Sequence, residues 1–95
     1  MKKRSVEKFE CVWAALADTP FEAASLRTRA ELMQKICAII QMNKWTQVEA
    51  ATRCGVTQPR INELIRGRVS HFSLDALVNI ATALGQRVEL ELQAA

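Results

Sequence analysis

The sequence has 95 residues, of which 49% are hydrophobic and 24% are charged, and its formal net charge is +3. This length is enough for one compact domain and too short for two, and the hydrophobic content excludes a wholly disordered chain. No apolar run approaches the ~20 residues that a membrane-spanning helix requires, so we expect no contact with a membrane.

Basic residues are concentrated in the middle of the chain. Between Lys44 and Arg68 there are five basic residues and two acidic ones, whereas residues 69–95 carry a net charge of −2. A basic middle section followed by an acidic tail indicates a polyanionic partner for the middle section alone.

The cysteines and the single histidine give no sign of a metal site or of catalysis. Cys11, Cys37 and Cys54 form no Cys-x-x-Cys pair, and only His71 could join them as a ligand. We therefore expect free thiols that behave as small hydrophobic side chains, with no metal, no cofactor and no enzymatic activity.

An N-terminal segment, residues 1–18, is predicted to precede the main domain and to contain a short helix. Its apolar residues follow a helical spacing at Val6, Phe9, Trp13 and Leu16. Glu7, Lys8 and Glu10 interrupt its apolar stretch, so it lacks the pattern of a signal peptide, and we expect the protein to be cytoplasmic.

Residues 19–95 are predicted to form one mainly helical domain. The stripe that predicts a long first helix consists of Leu26, Ala30, Met33, Cys37 and Ile40. Two short helices follow, from Gln47 to Cys54 and from Gln58 to about Arg66, and a last helix runs from Leu74 to Leu84. Predicted N-caps are Thr19, Thr46 and Ser73. The glycines that follow three of the helices are Gly55, Gly67 and Gly85.

Near the end of the chain the spacing of the apolar residues changes from a helical period to every second residue. From Arg87 to Gln93 apolar and polar residues alternate, which predicts a half-buried strand with Val88, Leu90 and Leu92 on one face. A lone strand leaves its hydrogen-bonding edges unpaired. We therefore expect it to pair with its copy in a second subunit, with these three residues at the dimer interface.

The two short helices are predicted to pack against each other across a sharp turn, since neither is long enough to be stable alone. The apolar positions that would hold them together are Ala50, Ala51, Cys54 and Val56 on one side, and Ile61, Leu64 and Ile65 on the other. This packing leaves the opposite face of the second helix outside.

That outer face carries side chains suited to DNA. At 100° per residue the outward arc contains Pro59, Asn62, Glu63 and Arg66, and Gln58 and Arg60 flank it. Gln, Asn and Arg can form bidentate hydrogen bonds to adenine or guanine in the major groove. Gln47 is placed to contact the DNA backbone, and Arg66 and Arg68 are placed to contact phosphates. The full predicted DNA-binding set is Gln47, Thr57, Gln58, Pro59, Arg60, Asn62, Glu63, Arg66 and Arg68.

Two members of this set have alternative roles. Pro59 either stiffens the helix start or contacts thymine methyl groups. Glu63 either accepts a hydrogen bond from cytosine or repels phosphate and so restricts placement.

The stretch from Thr46 to Gly67 resembles the helix-turn-helix of the lambda repressor-like, or XRE, family. The matching positions are Thr46-Gln47, Ala50-Ala51, Gly55-Val56-Thr57-Gln58 and Leu64-Ile65-Arg66-Gly67. The resemblance extends from about Ala23 to Leu92 and implies an all-α helix-turn-helix bundle, here with a short C-terminal strand. It also implies that DNA faces Gln47, Gln58, Pro59, Arg60, Asn62 and Arg66.

Within that family, Arg66-Gly67-Arg68, the segment 72–77 and the C-terminal strand are similar to the subgroup of HigA-type antitoxins. Those proteins dimerise, pair with RelE-like ribonuclease toxins and repress their own operon. The resemblance thus implies a homodimeric repressor that binds a palindromic operator on double-stranded DNA and pairs with such a toxin. Two alternatives stay open: a stand-alone phage-like XRE regulator, and a protein-interaction module that does not bind DNA.

Overall fold

The computed structural model describes residues 19–94, which form four α-helices and one 3₁₀ turn. In chain order these elements are α1 (Pro20–Met42), α2 (Gln47–Cys54), α3 (Gln58–Ile65), the 3₁₀ turn (Val69–His71) and α4 (Leu74–Ala83). The four helices predicted for this part of the chain are confirmed, and the last three end within one residue of their predicted bounds. The helix predicted within residues 1–18 lies outside the described residues.

Each of these helices begins at a residue whose hydroxyl group caps it. Thr19, Thr46, Thr57 and Ser73 each accept a hydrogen bond from the backbone N–H three residues further on. At Thr46 the cap is reciprocal, because the Glu49 carboxylate accepts from the backbone N–H of Thr46 at 2.9 Å. Such bonds satisfy N–H groups that a helix start leaves unpaired. The caps predicted at Thr19, Thr46 and Ser73 are confirmed.

The same two-bond motif ends all four helices. After each helix one residue adopts a left-handed conformation and donates its N–H to the carbonyl three residues back, and the next residue donates to the carbonyl five residues back. This is the Schellman motif, which satisfies carbonyls at a helix end. The left-handed residues are Lys44, Gly55, Gly67 and Gly85, with φ of 56°, 72°, 75° and 77°. The predicted role of the three glycines is confirmed, whereas no pattern in the sequence indicated a left-handed residue at Lys44.

The core lies where α1 packs against α3, the 3₁₀ turn and α4. The largest fully buried side chains are Ile36, Ile61, Leu64, Phe72 and Leu77. Of the predicted stripe on α1, Ala30, Met33 and Ile40 are buried, while Leu26 and Cys37 are half-buried at its edge. The predicted core face of α1 is therefore confirmed.

Ile65 corrects one packing prediction. It was expected to be buried beside Ile61 and Leu64, but 45% of it is exposed. It is the last residue of α3 and lies at the edge of a shallow groove that Met33 and Val69 also line. No other element in the described part of the chain covers this side of the helix end, so Ile65 stays accessible.

The predicted C-terminal strand is not present in the described chain. Residues 86–94 form no helix and no strand ladder, and they pass along α1, where Val88 and Leu90 line a groove with Leu32 and Ile36. A strand needs a neighbouring strand to complete its hydrogen bonds, and the elements described in this chain are all helical. Of the three residues predicted on its apolar face, Val88 is half-buried, Leu90 is 77% exposed and Leu92 is 99% exposed.

Candidate nucleic-acid interface

The two short helices, α2 and α3, meet across a turn that Gly55 makes possible. Its φ of 72° lies in the left-handed region that residues with a Cβ rarely adopt, and its N–H donates to the Thr52 carbonyl at 3.3 Å. Ala50 on α2 and Ile61 on α3 are both completely buried. Both belong to the buried core cluster, and the packing of α2 against α3 determines which side of α3 faces outward.

The first turn of α3 presents an exposed polar surface. Thr57 caps the helix, so its hydroxyl group accepts from the backbone N–H of Arg60 at 3.4 Å. Gln58 and Pro59 follow as exposed residues, and Asn62, one turn on, is half-buried. Pro59 occupies the first turn, where its missing N–H costs no helical hydrogen bond.

The basic residues predicted to contact phosphates lie beyond the other end of α3. Arg66 is the C-cap of the helix and Arg68 follows the left-handed Gly67, and both arginines are exposed. Gln47 is the first residue of α2 and is half-buried. Seven of the nine predicted residues therefore divide into a polar group in the first half of α3, a cationic group after its end and one glutamine at the start of α2.

Arg60 is placed differently from the rest of the predicted set. Its guanidinium lies over the buried ring of Phe72, with 3.9 Å between Cζ and the ring centroid. Its Nη1 donates to Glu63 Oε1 at 2.9 Å and to the backbone carbonyl of His71 at 3.0 Å. In this structure the guanidinium of Arg60 is thus directed to the 3₁₀ turn and its neighbour Phe72.

Glu63 accepts from two sides. Its Oε1 pairs with Arg60, and its Oε2 lies 3.0 Å from His71 Nδ1. The hydrogen bond with His71, followed by the one with Arg60, holds the pKa of the Glu63 carboxyl below its ordinary value. Both oxygens of this carboxylate are therefore engaged within the protein. The sequence predicts that Glu63 either accepts from cytosine or repels phosphate, and it does not predict these contacts with Arg60 and His71.

Two further arginine contacts hold the segments on either side of the two short helices. Arg29 on α1 donates from Nη1 to the carbonyl of Phe72 at 3.0 Å. Arg53 on α2 lies over the indole of Trp45, with 5.1 Å between Cζ and the ring centroid. Trp45 is half-buried and packs against the core.

Sequence reasoning missed Phe72 as a contact of α3. It lies twelve positions beyond Arg60, and no local spacing rule connects a helix residue with an aromatic ring at that distance. Likewise, no local spacing connects Glu63 with His71, eight positions further on.

The thiols of the described chain are free, at Cys37 and Cys54. Burial raises the pKa of both, and for Cys37 the nearby Cys54 adds to the effect. Cys37 Sγ donates a weak hydrogen bond to the Leu64 carbonyl at 3.6 Å. Within residues 19–94 no group of three or more His, Cys, Asp or Glu side chains could hold a metal ion, and no helix is long and apolar enough to cross a membrane.

Searches with this chain among curated proteins and among solved structures gave no match. A family model described as a helix-turn-helix domain matches residues 15–93, which is most of the chain. The match includes α2, the Gly55 turn and α3, together with α1 and α4 that support them. DNA is the partner that such a domain implies. The chain belongs to the helix-turn-helix domain family.

Proposed function

We propose that this protein is a sequence-specific repressor that binds a palindromic operator and reads it with the start of α3. The observation that carries this proposal is the arrangement along α3. Exposed Gln58 is the first residue of the helix and half-buried Asn62 lies one turn further on, while exposed Arg66 and Arg68 follow its end. Amide side chains near the start of a recognition helix can bind adenine edges, while cations beside it neutralise phosphates.

The phosphate contacts would come from several elements. Arg66 and Arg68 supply positive charge, and within the described residues neither has an ion-pair partner. Gln47 lies at the start of α2, where backbone N–H groups and the helix dipole favour an anion. The Thr57 hydroxyl caps α3 and so stabilises the first turn of the helix, which would lie beside the DNA. These contacts set the register, while base contacts set the sequence preference.

A selection experiment tests the proposal directly. Duplexes are first enriched from a random pool by binding to the full chain. The protein is then footprinted on the DNA upstream of its own gene, to see whether it protects the enriched sequence there. We expect one palindromic sequence to be enriched and to be protected at that upstream site. Gln58→Ala should lose this preference, whereas Gln34→Ala, an exposed glutamine of α1, should retain it. Enrichment of no duplex would contradict the proposed function.

We propose further that the repressor is a homodimer joined through residues 86–94. This segment has no strand partner in the described chain, and its Leu90 and Leu92 side chains are exposed. Its alternation of apolar and polar residues suits an antiparallel pairing with a second copy, and two-fold symmetry would then match a palindromic operator. Val88, Leu90 and Leu92 form the proposed interface.

The most specific role that we propose is that of an antitoxin that represses its own operon. This proposal rests on the resemblance of the chain to HigA-type antitoxins, whose partners are RelE-like ribonucleases. The role requires neither a cofactor nor catalysis, and it places the protein in the cytoplasm with its DNA. Co-expression with a small ribonuclease-like protein encoded beside its gene should yield a stable complex and relieve growth arrest. A chain that represses without any such neighbour would instead be a stand-alone XRE regulator.

A protein-interaction module without DNA binding is the second candidate class. The apolar groove beside Ile65, between α1 and α3, is the observation that favours it. In that case the chain would bind no duplex in a salt-dependent way, which distinguishes it from the repressor.

A further inference from the structure

Four residues form a connected group where α3 meets the 3₁₀ turn and the residue after it. We refer to Arg60, Glu63, His71 and Phe72 as the Arg60 cluster. The Arg60 and Glu63 side chains are 37% and 32% exposed, so both are partly accessible to solvent. Even so, the polar contacts that the structure gives them are made with each other and with the turn.

We propose that Arg60 and Glu63 are positioning residues that set the orientation of α3 against the 3₁₀ turn, and that they do not read bases. This inference rests on the proposed function, since it assigns roles within the same DNA-binding surface. It leaves the reading of bases from α3 to Gln58 and Asn62, with Pro59 between them.

The first argument concerns what Arg60 would lose by turning to DNA. Its guanidinium makes two hydrogen bonds through Nη1, one of them to a carboxylate, and covers the face of an aromatic ring. Hydrogen bonds between charged groups are about twice as strong as neutral ones, and stacking on the ring adds to them. A contact with guanine would have to replace all three interactions at once.

The second argument concerns charge. Glu63 lies within hydrogen-bond distance of Arg60, so the pair contributes no net charge to the surface and gives little attraction to phosphate. Arg66 and Arg68 have no such partner among the described residues. The cationic part of the surface therefore lies beyond the end of α3 and not at Arg60.

The third argument concerns what the cluster connects. Arg60 holds the carbonyl of His71, while Arg29 on α1 holds the carbonyl of the next residue, Phe72. Successive carbonyls are thus bound by arginines from α3 and α1, and the Phe72 ring is buried between the turn and the core. A small rotation of α3 would break the Arg60 contacts. The cluster therefore restricts the angle at which the first turn of α3 is presented.

The test measures three quantities: affinity for the enriched duplex, affinity for a scrambled duplex, and the preferred base at each position. The proteins compared are the wild type, Arg60→Lys, Glu63→Ala, Glu63→Gln and the double variant Arg60→Lys/Glu63→Ala. Lysine keeps the charge of Arg60 but loses the planar fork and the stacking. Glutamine keeps acceptor and donor atoms at position 63, so it serves as the conservative control. Circular dichroism confirms that each variant is folded at the temperature of the measurement.

If the two residues position α3, Arg60→Lys and Glu63→Ala each weaken binding to the enriched duplex, on the order of tenfold, and the double variant loses about as much as either one. The preferred base at every position stays the same, binding to the scrambled duplex changes by less than about twofold, and Glu63→Gln recovers part of the loss. Glu63→Ala is especially informative, since removal of a negative charge that merely repels phosphate would strengthen binding to both duplexes.

Two results would overturn the inference while leaving the proposed function intact. One is a change of the preferred base at a single position in Arg60→Lys or Glu63→Ala, which would assign a base contact to that residue. The other is tighter binding of Glu63→Ala to both duplexes. A selection that enriches no duplex would overturn the proposed function and this inference with it.

Discussion

Arg53 lies over the indole of Trp45, with 5.1 Å between its Cζ and the ring centroid. The contact joins the end of α2 to the loop that follows α1, so it holds the first of the two short helices in place. A cation over an aromatic ring at a partly exposed site contributes about 0.5–1 kcal/mol. We expect Arg53→Ala to lower the free energy of unfolding by about that amount, as measured by urea denaturation. In a Trp45→Leu background the same substitution should cost almost nothing, and an equal cost in both backgrounds would show that the ring contact does not contribute.

Arg66 and Asn62 should affect DNA binding in different ways. Arg66→Ala removes the phosphate contact that we propose for this residue, so it should weaken binding to all duplexes and reduce the salt dependence by roughly 0.9 in the slope of log K against log salt. Asn62→Ala should cost on the order of 1–3 kcal/mol on the preferred duplex only, because it removes the base contact that we propose. Affinities measured at several salt concentrations separate the two. A changed base preference in Arg66→Ala would show that its assignment to phosphate is wrong.

The lowered pKa of Glu63 predicts an acid-dependent loss of stability. The contacts of the folded state favour the ionised carboxylate of Glu63, so they add to the free energy of unfolding. This stabilisation is fully present above the unfolded-state pKa, near the ordinary 4.5, and is lost as the pH falls through the lower folded-state pKa. Thermal unfolding of the wild type and Glu63→Gln between about pH 6 and pH 3 measures it. The stability difference between the two proteins should shrink as the pH falls below 4.5. A difference that stays constant over this range would contradict the assignment.

Lys44 occupies a position where glycine should be more stable. It is the non-glycine residue with positive φ among the described residues, and it ends α1 in the same motif in which glycine ends α2, α3 and α4. A left-handed conformation strains a side chain with a Cβ, and glycine removes that strain at some cost in chain entropy. We expect Lys44→Gly to raise the free energy of unfolding by about 0.5–1 kcal/mol.

Gly55→Ala is the matched control for that substitution. A Cβ at Gly55 would meet no atom within 4 Å, so any loss of stability must come from the backbone conformation alone. We expect a loss of about 1 kcal/mol or more in urea denaturation. If Lys44→Gly lowered stability instead, the chain entropy of glycine or a lost contact of the lysine side chain would outweigh the strain.

The proposed dimer can be tested at Leu90. Leu90→Pro removes an N–H that an antiparallel pairing would use, and it also changes the apolar face of the segment. Because residues 86–94 belong to no regular element of the described chain, the monomer fold should tolerate the substitution. We expect a shift towards monomer in sedimentation, and a greater loss of binding to a palindrome than to a half-site. Leu90→Val should remain dimeric. A dimeric Leu90→Pro variant would place the subunit interface elsewhere.

Features that depend on neighbouring residues could be predicted from the sequence. The cap at Thr46 with Glu49, the turn at Gly55 and the buried stripe of α1 all follow from spacings of three to seven residues, and all are confirmed. Each is determined by backbone hydrogen bonds or by one helical face, so a single stretch of sequence contains the full signal.

The remaining features depend on parts of the chain that are far apart. Ile65 has the helical phase of a core residue, but its exposure is decided by whether another element covers the end of α3. The guanidinium of Arg60 is a group that can read bases, but its contacts include Phe72, twelve positions further on. Residues 86–94 have the alternation of a strand, yet a strand also requires a partner. In each case the chemical character of the residue is evident from the sequence, whereas its surroundings depend on the fold.

The Schellman motifs have a consequence for the rate at which the protein associates with DNA. Both ends of α3 are fixed by bonds between residues at most five positions apart, and its core contacts hold it in place. The helix therefore exists before DNA arrives, and no folding step has to precede or follow the encounter. We expect the association rate to be governed by diffusion and by the attraction between Arg66, Arg68 and the phosphates, and so to fall as salt is added.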